Sequence, residues 1–199
     1  METEGRSTHL CKFVIDGLWS VLVSLGLTRK SRNFRFRGLD NAGKTSLLYA
    51  IQDEQISHQM KSPTNEELVI AGMKFRALCL EGMFTNSELR RVEDAKLDGQ
   101  VFVVDASDRE RFPEAKAELL GLLEDQRHLQ VPILILGNKM DIQHAASEEQ
   151  LRSALDIGRF KNSKHKSIGA NLPPMEVFMC SAMRRQGYEE GFIWLLQYT

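Results

Sequence analysis

One octapeptide holds most of the reactive potential of this chain. Gly38-Leu39-Asp40-Asn41-Ala42-Gly43-Lys44-Thr45 fits the spacing Gly-x-x-x-x-Gly-Lys-Ser/Thr. Gly38 and Gly43 permit a tight loop whose N–H groups turn inward, and a helix starting directly after it points its positive end the same way. Together they make a site for phosphate. Lys44 can set its ammonium against β- and γ-phosphates, and the Thr45 hydroxyl can ligate Mg²⁺. A glycine-containing turn before an ordinary helix would carry some of the same residues. The flanks separate the two readings. Phe34 and Phe36 before the loop read as a strand, and Thr45 to Ile51 after it read as a helix. That strand–loop–helix setting is what the motif requires.

Two further loops carry recognition chemistry. Asn138-Lys139-Met140-Asp141 follows one apolar run and Cys180-Ser181-Ala182 follows another. An Asp carboxylate can accept two hydrogen bonds from guanine N1–H and the 2-amino group, a donor pair that adenine lacks. A site built for such bonds discriminates strongly, because the wrong base leaves buried groups unpaired. Asn138 and Ala182 could meet the guanine O6 side, Ala182 through its backbone N–H. Alone, Asn-Lys-x-Asp is a polar loop; after a strand, downstream of a phosphate loop, it reads as base recognition. The expected nucleotide-binding set is therefore Asp40, Asn41, Ala42, Gly43, Lys44, Thr45 and Ser46, with Asn138, Lys139, Asp141, Ser181, Ala182 and Met183.

The elements that must position these loops alternate. Leu68 to Ile70, a turn at Ala71-Gly72 and Lys74 to Leu80 predict a β-hairpin. Val101 to Asp105, Val131 to Leu136 and Met175 to Met179 predict buried strands. Helices are predicted over Glu110–Leu123 (with Pro113 in the first turn), from a capping box at Ser147–Gln150 through Leu155, and over Glu190–Tyr198. Glu81 to Asp98 is polar, with weak helical periodicity. Strands alternating with helices give an α/β fold, a mostly parallel, doubly wound sheet. Ligands in such sheets sit outside the carboxyl ends of the strands.

A chain of 199 residues with 42% hydrophobic residues forms one domain with an ordinary core, or one domain and an appendage. Cys11, Cys79 and Cys180 make no disulfide framework and point to reducing cytosol. The net charge is −1, yet residues 1–37 carry seven Lys or Arg against three acids, so the N-terminal end is the basic one. It could face an anionic membrane or be ordinary solvated charge. No basic–aromatic pattern argues for nucleic acid. Residues 1–10 are polar and predicted to be disordered. Glu2 argues against N-myristoylation. In Phe13–Leu27 the polar Asp16, Ser20 and Ser24 recur every fourth position, one narrow stripe on an otherwise apolar helix. Its roughly fifteen residues are too few for a span, which takes about 20. Arg29 and Lys30 follow it directly, and the acidic start does not suit a signal peptide. Two readings stay open: an interfacial helix anchored by Trp19, or a terminal helix packed on the domain.

Taken together, these segments resemble the Arf-type small GTPases, in their Sar branch. The resemblance spans nearly the whole chain. It is carried by Phe13 to Asp16, Ser24 to Leu27, Gly38 to Thr45, Pro63 to Leu68, Val131 to Lys139, Ser147 to Glu149, Glu176 to Ser181, Gln186 to Tyr188 and Gln197-Tyr198. It implies a Ras-like P-loop fold with a six-stranded sheet over 31–199 and an amphipathic membrane-binding helix over 11–30. It also implies GTP/GDP and Mg²⁺ as cofactors, with Thr45, Thr64, Asp40 and the position of Cys79 around the metal. The implied activity is GTP hydrolysis in a switch that starts coat protein complex II assembly for transport from endoplasmic reticulum to Golgi. The implied partners are an exchange factor, coat subunits, a GTPase-activating protein and the endoplasmic-reticulum membrane. The implied location is the cytoplasmic face of those membranes, or cytosol in the GDP state.

Departures from the family pattern concentrate after the hairpin. The family's Asp-Leu-Gly-Gly-His stands here as Cys79-Leu80-Glu81-Gly82-Met83. Thiol sulfur is soft and suits Mg²⁺ poorly. Met83 replaces the histidine that orients attacking water, and thioether sulfur moves no proton. Glu81 adds negative charge, and Gly82 alone remains to offer an amide to the γ-phosphate. The segment before Pro63 is two residues shorter than in the family. Arg35 and Arg37 stand in a strand that the family keeps apolar, where an unpaired buried Arg would be costly. The alternative to a GTPase is a non-catalytic relative acting as an interaction module. A P-loop ATPase or small-molecule kinase is a third class, and Asn138 to Asp141 argue against it.

Overall fold

In the computed structural model the described residues are 32–53, 67–70, 73–79, 96–124, 131–158 and 172–198. The predicted helix at 13–27, residues 1–10, Thr64, Gly82 and Met83 lie outside them.

The chain enters the sheet at its centre. Strand β1 (Arg32–Arg37) pairs in parallel with β3 (Met73–Cys79) on one side and β4 (Gly99–Asp105) on the other. β2 (Glu67–Ile70) pairs antiparallel with β3, and Ile70 stands opposite Met73. β5 (Ile133–Asn138) adds beside β4, and β6 (Met175–Met179) beside β5, both parallel. The order is β2-β3-β1-β4-β5-β6. β5 is buried along its whole length, as is β4 up to Val104, which is why both read as continuous apolar runs rather than alternating ones.

Helices cover both faces. α1 (Lys44–Asp53) and α4 (Glu189–Leu196) pack on the face that carries Phe34, Phe36, Val101, Val103, Leu134 and Leu136. Alternate residues, Phe102, Val104, Ile133 and Ile135, face α2 (Phe112–Glu124) and α3 (Glu148–Ala154). Phe192 of α4 sits against both Phe34 and Phe36, with ring centroids 6.1 and 6.2 Å away. Burying a Phe of this kind contributes about 1.5–3 kcal/mol, so these three rings do much to fix β1 against α4.

Element boundaries shift for local reasons. β5 starts at Ile133, because Pro132 has no N–H for the ladder; its carbonyl still accepts from Gln100 N at 2.9 Å. The helix predicted from Glu110 opens as a 3₁₀ turn, Arg109–Arg111, before α2 begins at Phe112. Pro113 is then in the first turn, where a missing N–H costs nothing. α3 carries the full capping box: Gln150 N donates to Ser147 Oγ, and Ser147 N to Gln150 Oε1. α4 ends at Leu196, two residues before the predicted Tyr198. The doubt over β1 resolves in favour of a normal strand. Arg35 is 1% exposed and has interaction partners within the protein, although its Nε, like that of Arg37, is buried without a hydrogen bond among the described residues.

Candidate functional site

The loops after β1, β5 and β6 leave the same edge of the sheet, because the three strands run parallel. The loop after β1 is bent by three residues with positive φ: Gly38 at 125°, Asn41 at 59° and Gly43 at 90°. A Cβ on Gly38 would lie 2.0 Å from the Val103 carbonyl oxygen, and one on Gly43 would lie 2.3 Å from Asn138 Nδ2. Both positions therefore demand glycine on space as well as on dihedral angle. Lys44 is buried, and its Nζ donates to the carbonyls of Gly38 at 2.6 Å and Leu39 at 2.5 Å. The ammonium is thus held across the start of the loop. Thr45 and Ser46 are exposed on the first turn of α1. Inward-turned loop, helix start and buried ammonium suit a bound phosphate.

Asn138 ties this loop to the other two. Its Nδ2 donates to the Ala42 carbonyl at 2.9 Å, and its Oδ1 accepts from the Ala182 N–H at 3.0 Å. The Cys180 thiol lies 3.8 Å from the same Oδ1; burial pushes that thiol up to about 12, so it stays a neutral donor. Sequence reasoning placed Asn138 and the Ala182 amide at guanine O6. In the structure the Ala182 N–H and the Asn138 carboxamide are partners of each other. The physical reason is their burial: a polar group this deep needs its partner within the protein.

Asp141 and Lys139 are each held by partners of their own. Asp141 Oδ1 accepts from Ser181 Oγ at 2.6 Å, and Ser181 Oγ accepts in turn from Arg184 N at 3.0 Å. The other oxygen, Oδ2, has no hydrogen bond among the described residues. Lys139 adopts φ 66° and donates from Nζ to Asp105 Oδ2 at 2.6 Å. Asp105 also accepts from Ser107 N at 2.9 Å and Ser107 Oγ at 2.6 Å. Burial acts to raise the Asp105 carboxyl, but the bonds from Lys139 and Ser107 prevail and hold it below the ordinary value. Its folded value being depressed, the link is fully present above the ordinary carboxylate range and is lost only as pH falls through the lowered value. Met183 stands exposed at the tip of the third loop.

Sequence reasoning missed Asp105, Ser107 and Arg111. An Asp at the carboxyl end of a buried strand with Ser two residues on is a readable signal for an Asx turn at this edge. Arg111 has no such local mark. It binds Asp40 Oδ1 at 2.5 Å, so Asp40, expected near the metal, has a guanidinium as its partner. An exposed carboxylate already neutralised in this way is a poor recruit to a cation's shell. Among the described residues no three His, Cys, Asp or Glu converge. The Thr45 hydroxyl is a hard oxygen donor and suits Mg²⁺, which takes most of its other ligands from phosphates and water. Cys79 closes β3 in register with Phe36.

Comparison with known proteins settles the family. A model of the ADP-ribosylation factor family matches residues 18–199. The chain belongs to that family. It is 38% identical over 195 residues to the small COPII coat GTPase SAR1 of Nicotiana tabacum, covering 94% of this chain and 98% of the relative. It is 37% identical over 186 residues to the protein of the same name from Giardia intestinalis, covering 92% and 97%. ADP-ribosylation factor-like protein 2 of Arabidopsis thaliana is 32% identical over 186 residues, covering 91% and 94%. The fold is accordingly the Ras-like P-loop fold, and the chain is Sar-like within the family.

Asp141, expected from its motif to read guanine, keeps one carboxylate oxygen without a hydrogen bond among the described residues. Asp141→Asn should weaken GTP, each lost bond costing about 1–3 kcal/mol, and should admit xanthosine triphosphate, whose 2-oxo group wants a donor. Competition of ATP, GTP and xanthosine triphosphate against a fluorescent guanine nucleotide measures this. Equal displacement by ATP and GTP from the unmodified protein contradicts it.

Proposed function

We propose that this chain is a Sar-like GTPase, a GTP/GDP switch that recruits coat protein complex II for traffic from the endoplasmic reticulum to the Golgi. The observation that carries the reading is the Asn138 tie, which holds a phosphate loop and a guanine-type base loop against each other in a member of this family. The names of the SAR1 relatives supply the coat. They also favour a GTPase over a non-catalytic interaction module.

In this reading Asp40 to Thr45 present backbone amides and the Lys44 ammonium to the phosphates. Thr45 and Thr64 are the protein's oxygen ligands to Mg²⁺, which when bound neutralises phosphate charge. Asp141 reads the base, Lys139 lines it, and Ser181, Ala182 and Met183 close its far side. Nucleotide binding then rests on intact parts, whereas hydrolysis does not. Met83 cannot orient water, and groups that orient water or move its proton are worth about 10²–10⁴ in rate. Cys79 is a weak support for the metal shell. Slow intrinsic hydrolysis results, with an activating protein as the source of faster turnover.

No helix among the described residues is long and apolar enough to cross a membrane. Membrane contact is assigned to residues 13–27, lying in the interface of endoplasmic-reticulum or Golgi membrane in the GTP state, with Arg29, Lys30 and Arg32 toward anionic headgroups. The GDP form is cytosolic. An exchange factor, coat subunits and an activating protein are the partners of this cycle.

Restoring Cys79→Asp, Glu81→Gly and Met83→His together should raise single-turnover GTP hydrolysis at least about tenfold. Equal rates in the unmodified protein and the triple variant would show the switch to be unimpaired. For the membrane segment, Leu22→Asp should reduce flotation of the GTP-loaded protein with anionic liposomes while nucleotide binding persists. Unchanged flotation after deletion of residues 1–27 would make the helix a packing element instead.

A further inference from the structure

We propose that Arg111 is a positioning residue that grips the phosphate loop from outside and slows release of bound nucleotide. The inference rests on the reading of the site as a nucleotide site and goes beyond the loop residues themselves. Arg111 ends the 3₁₀ turn that leads into α2. Its Nη2 donates to Asp40 Oδ1 at 2.5 Å, and its Nη1 donates to the Asp40 backbone carbonyl at 3.2 Å. The remaining nitrogen, Nε, donates to Glu114 Oε2 at 2.8 Å, one turn along α2. Glu114 thus turns the guanidinium so that both terminal nitrogens reach Asp40.

The carbonyl bond sets this contact apart from an ordinary surface ion pair. An exposed pair contributes little to folding, and the Asp40 side chain is 82% exposed. A hydrogen bond to the Asp40 carbonyl, however, acts on the loop backbone, and the amides of that backbone are the phosphate ligands. Asp40 precedes Asn41, which holds φ 59°, an uncommon angle that non-glycine residues keep only where the surroundings enforce it. Arg111 is itself well anchored, because Phe112 beside it is buried in the core under α2. Leu39 to Ala42 and Arg111, Phe112 and Ala115 line one cleft, so the loop and the turn lie against each other.

Charge adds a second effect. Asp40 places a carboxylate in a loop that binds anions. The Arg111 guanidinium, 2.5 Å from Asp40 Oδ1, compensates that charge. Removing Arg111 would therefore free the loop backbone and leave an uncompensated negative charge beside the phosphates. Both changes speed departure of nucleotide. Removing Asp40 instead deletes the charge and leaves the carbonyl contact, so its effect is smaller.

The test measures dissociation of a fluorescent GDP analogue from the full-length protein with Mg²⁺ present. Arg111→Ala should release it about two- to fivefold faster than the unmodified protein. Asp40→Ala should release it more slowly than Arg111→Ala does. Adding Asp40→Ala to Arg111→Ala should recover part of the loss, a result that a merely structural arginine would not produce. Glu114→Ala, which leaves the Asp40 contact but frees the guanidinium, should fall between, and it serves if Arg111→Ala does not fold. Raising salt should speed release from the unmodified protein more than from Arg111→Ala. Equal release rates in the unmodified protein, Arg111→Ala and Glu114→Ala overturn the proposal while leaving the nucleotide reading intact. A protein that binds no GDP analogue at all overturns both.

Discussion

The site depends on one buried carboxamide. Asn138 offers a donor and an acceptor on the same planar group, and the protein uses both, toward Ala42 and Ala182. No other side chain of that size presents the pair; an Asp would set a carboxylate against the Ala42 carbonyl, and a Leu would leave two buried polar groups unpaired. The bond to Ala42 fixes the phosphate loop, and the bond from Ala182 fixes the loop after β6. Asn138 can do this because its backbone has no freedom. It is the last residue of a fully buried strand, paired with Asp105 in register, and its carbonyl accepts from Ala106 N at 2.9 Å. Sheet register thus becomes loop spacing. Gly43 completes the arrangement, since any Cβ there would occupy the space of the Asn138 amide.

Much of this was legible in the sequence, and the legible part is the local part. The phosphate loop, the base loop, the hairpin and the Ser147 capping box each declare themselves within a few residues. Their physics is local too, resting on glycine dihedrals, short-range capping and apolar runs. The pairs that join them are not local. Lys139 and Asp105 are 34 residues apart, and Arg111 and Asp40 are 71 apart. A lysine or arginine has no sequence mark that names its partner across such distances; only the closed sheet brings the strand ends together. The same limit explains Asn138. Its motif says that it belongs to the base loop, but not that burial turns its side chain toward protein partners. The capping of β5 by Pro132 and the 3₁₀ start of α2 are smaller cases, in which backbone chemistry moved a boundary by two residues.

In the proposed function, binding and hydrolysis draw on different stretches of the chain. The binding groups sit after β1, β5 and β6 and are tied to one another through Asn138. Cys79 ends β3, on the other side of β1, and Glu81 and Met83 come directly after it in the chain. The hydrogen bonds of Asn138 run to Ala42, Cys180 and Ala182, none of them in β3. In the proposed reading the chain keeps its nucleotide while its chemistry slows, and its place in a switch cycle depends on partners for turnover.

The central claim is that the three tied loops form a guanine nucleotide site, and the nucleotide carried by the purified protein tests it most directly. Native mass spectrometry of the full-length protein, with chromatography of the denatured supernatant, reads both stoichiometry and base. Close to one GDP or GTP per chain is the expected result. Adenine nucleotide in its place, or protein that stays empty after incubation with GTP and Mg²⁺, would contradict it.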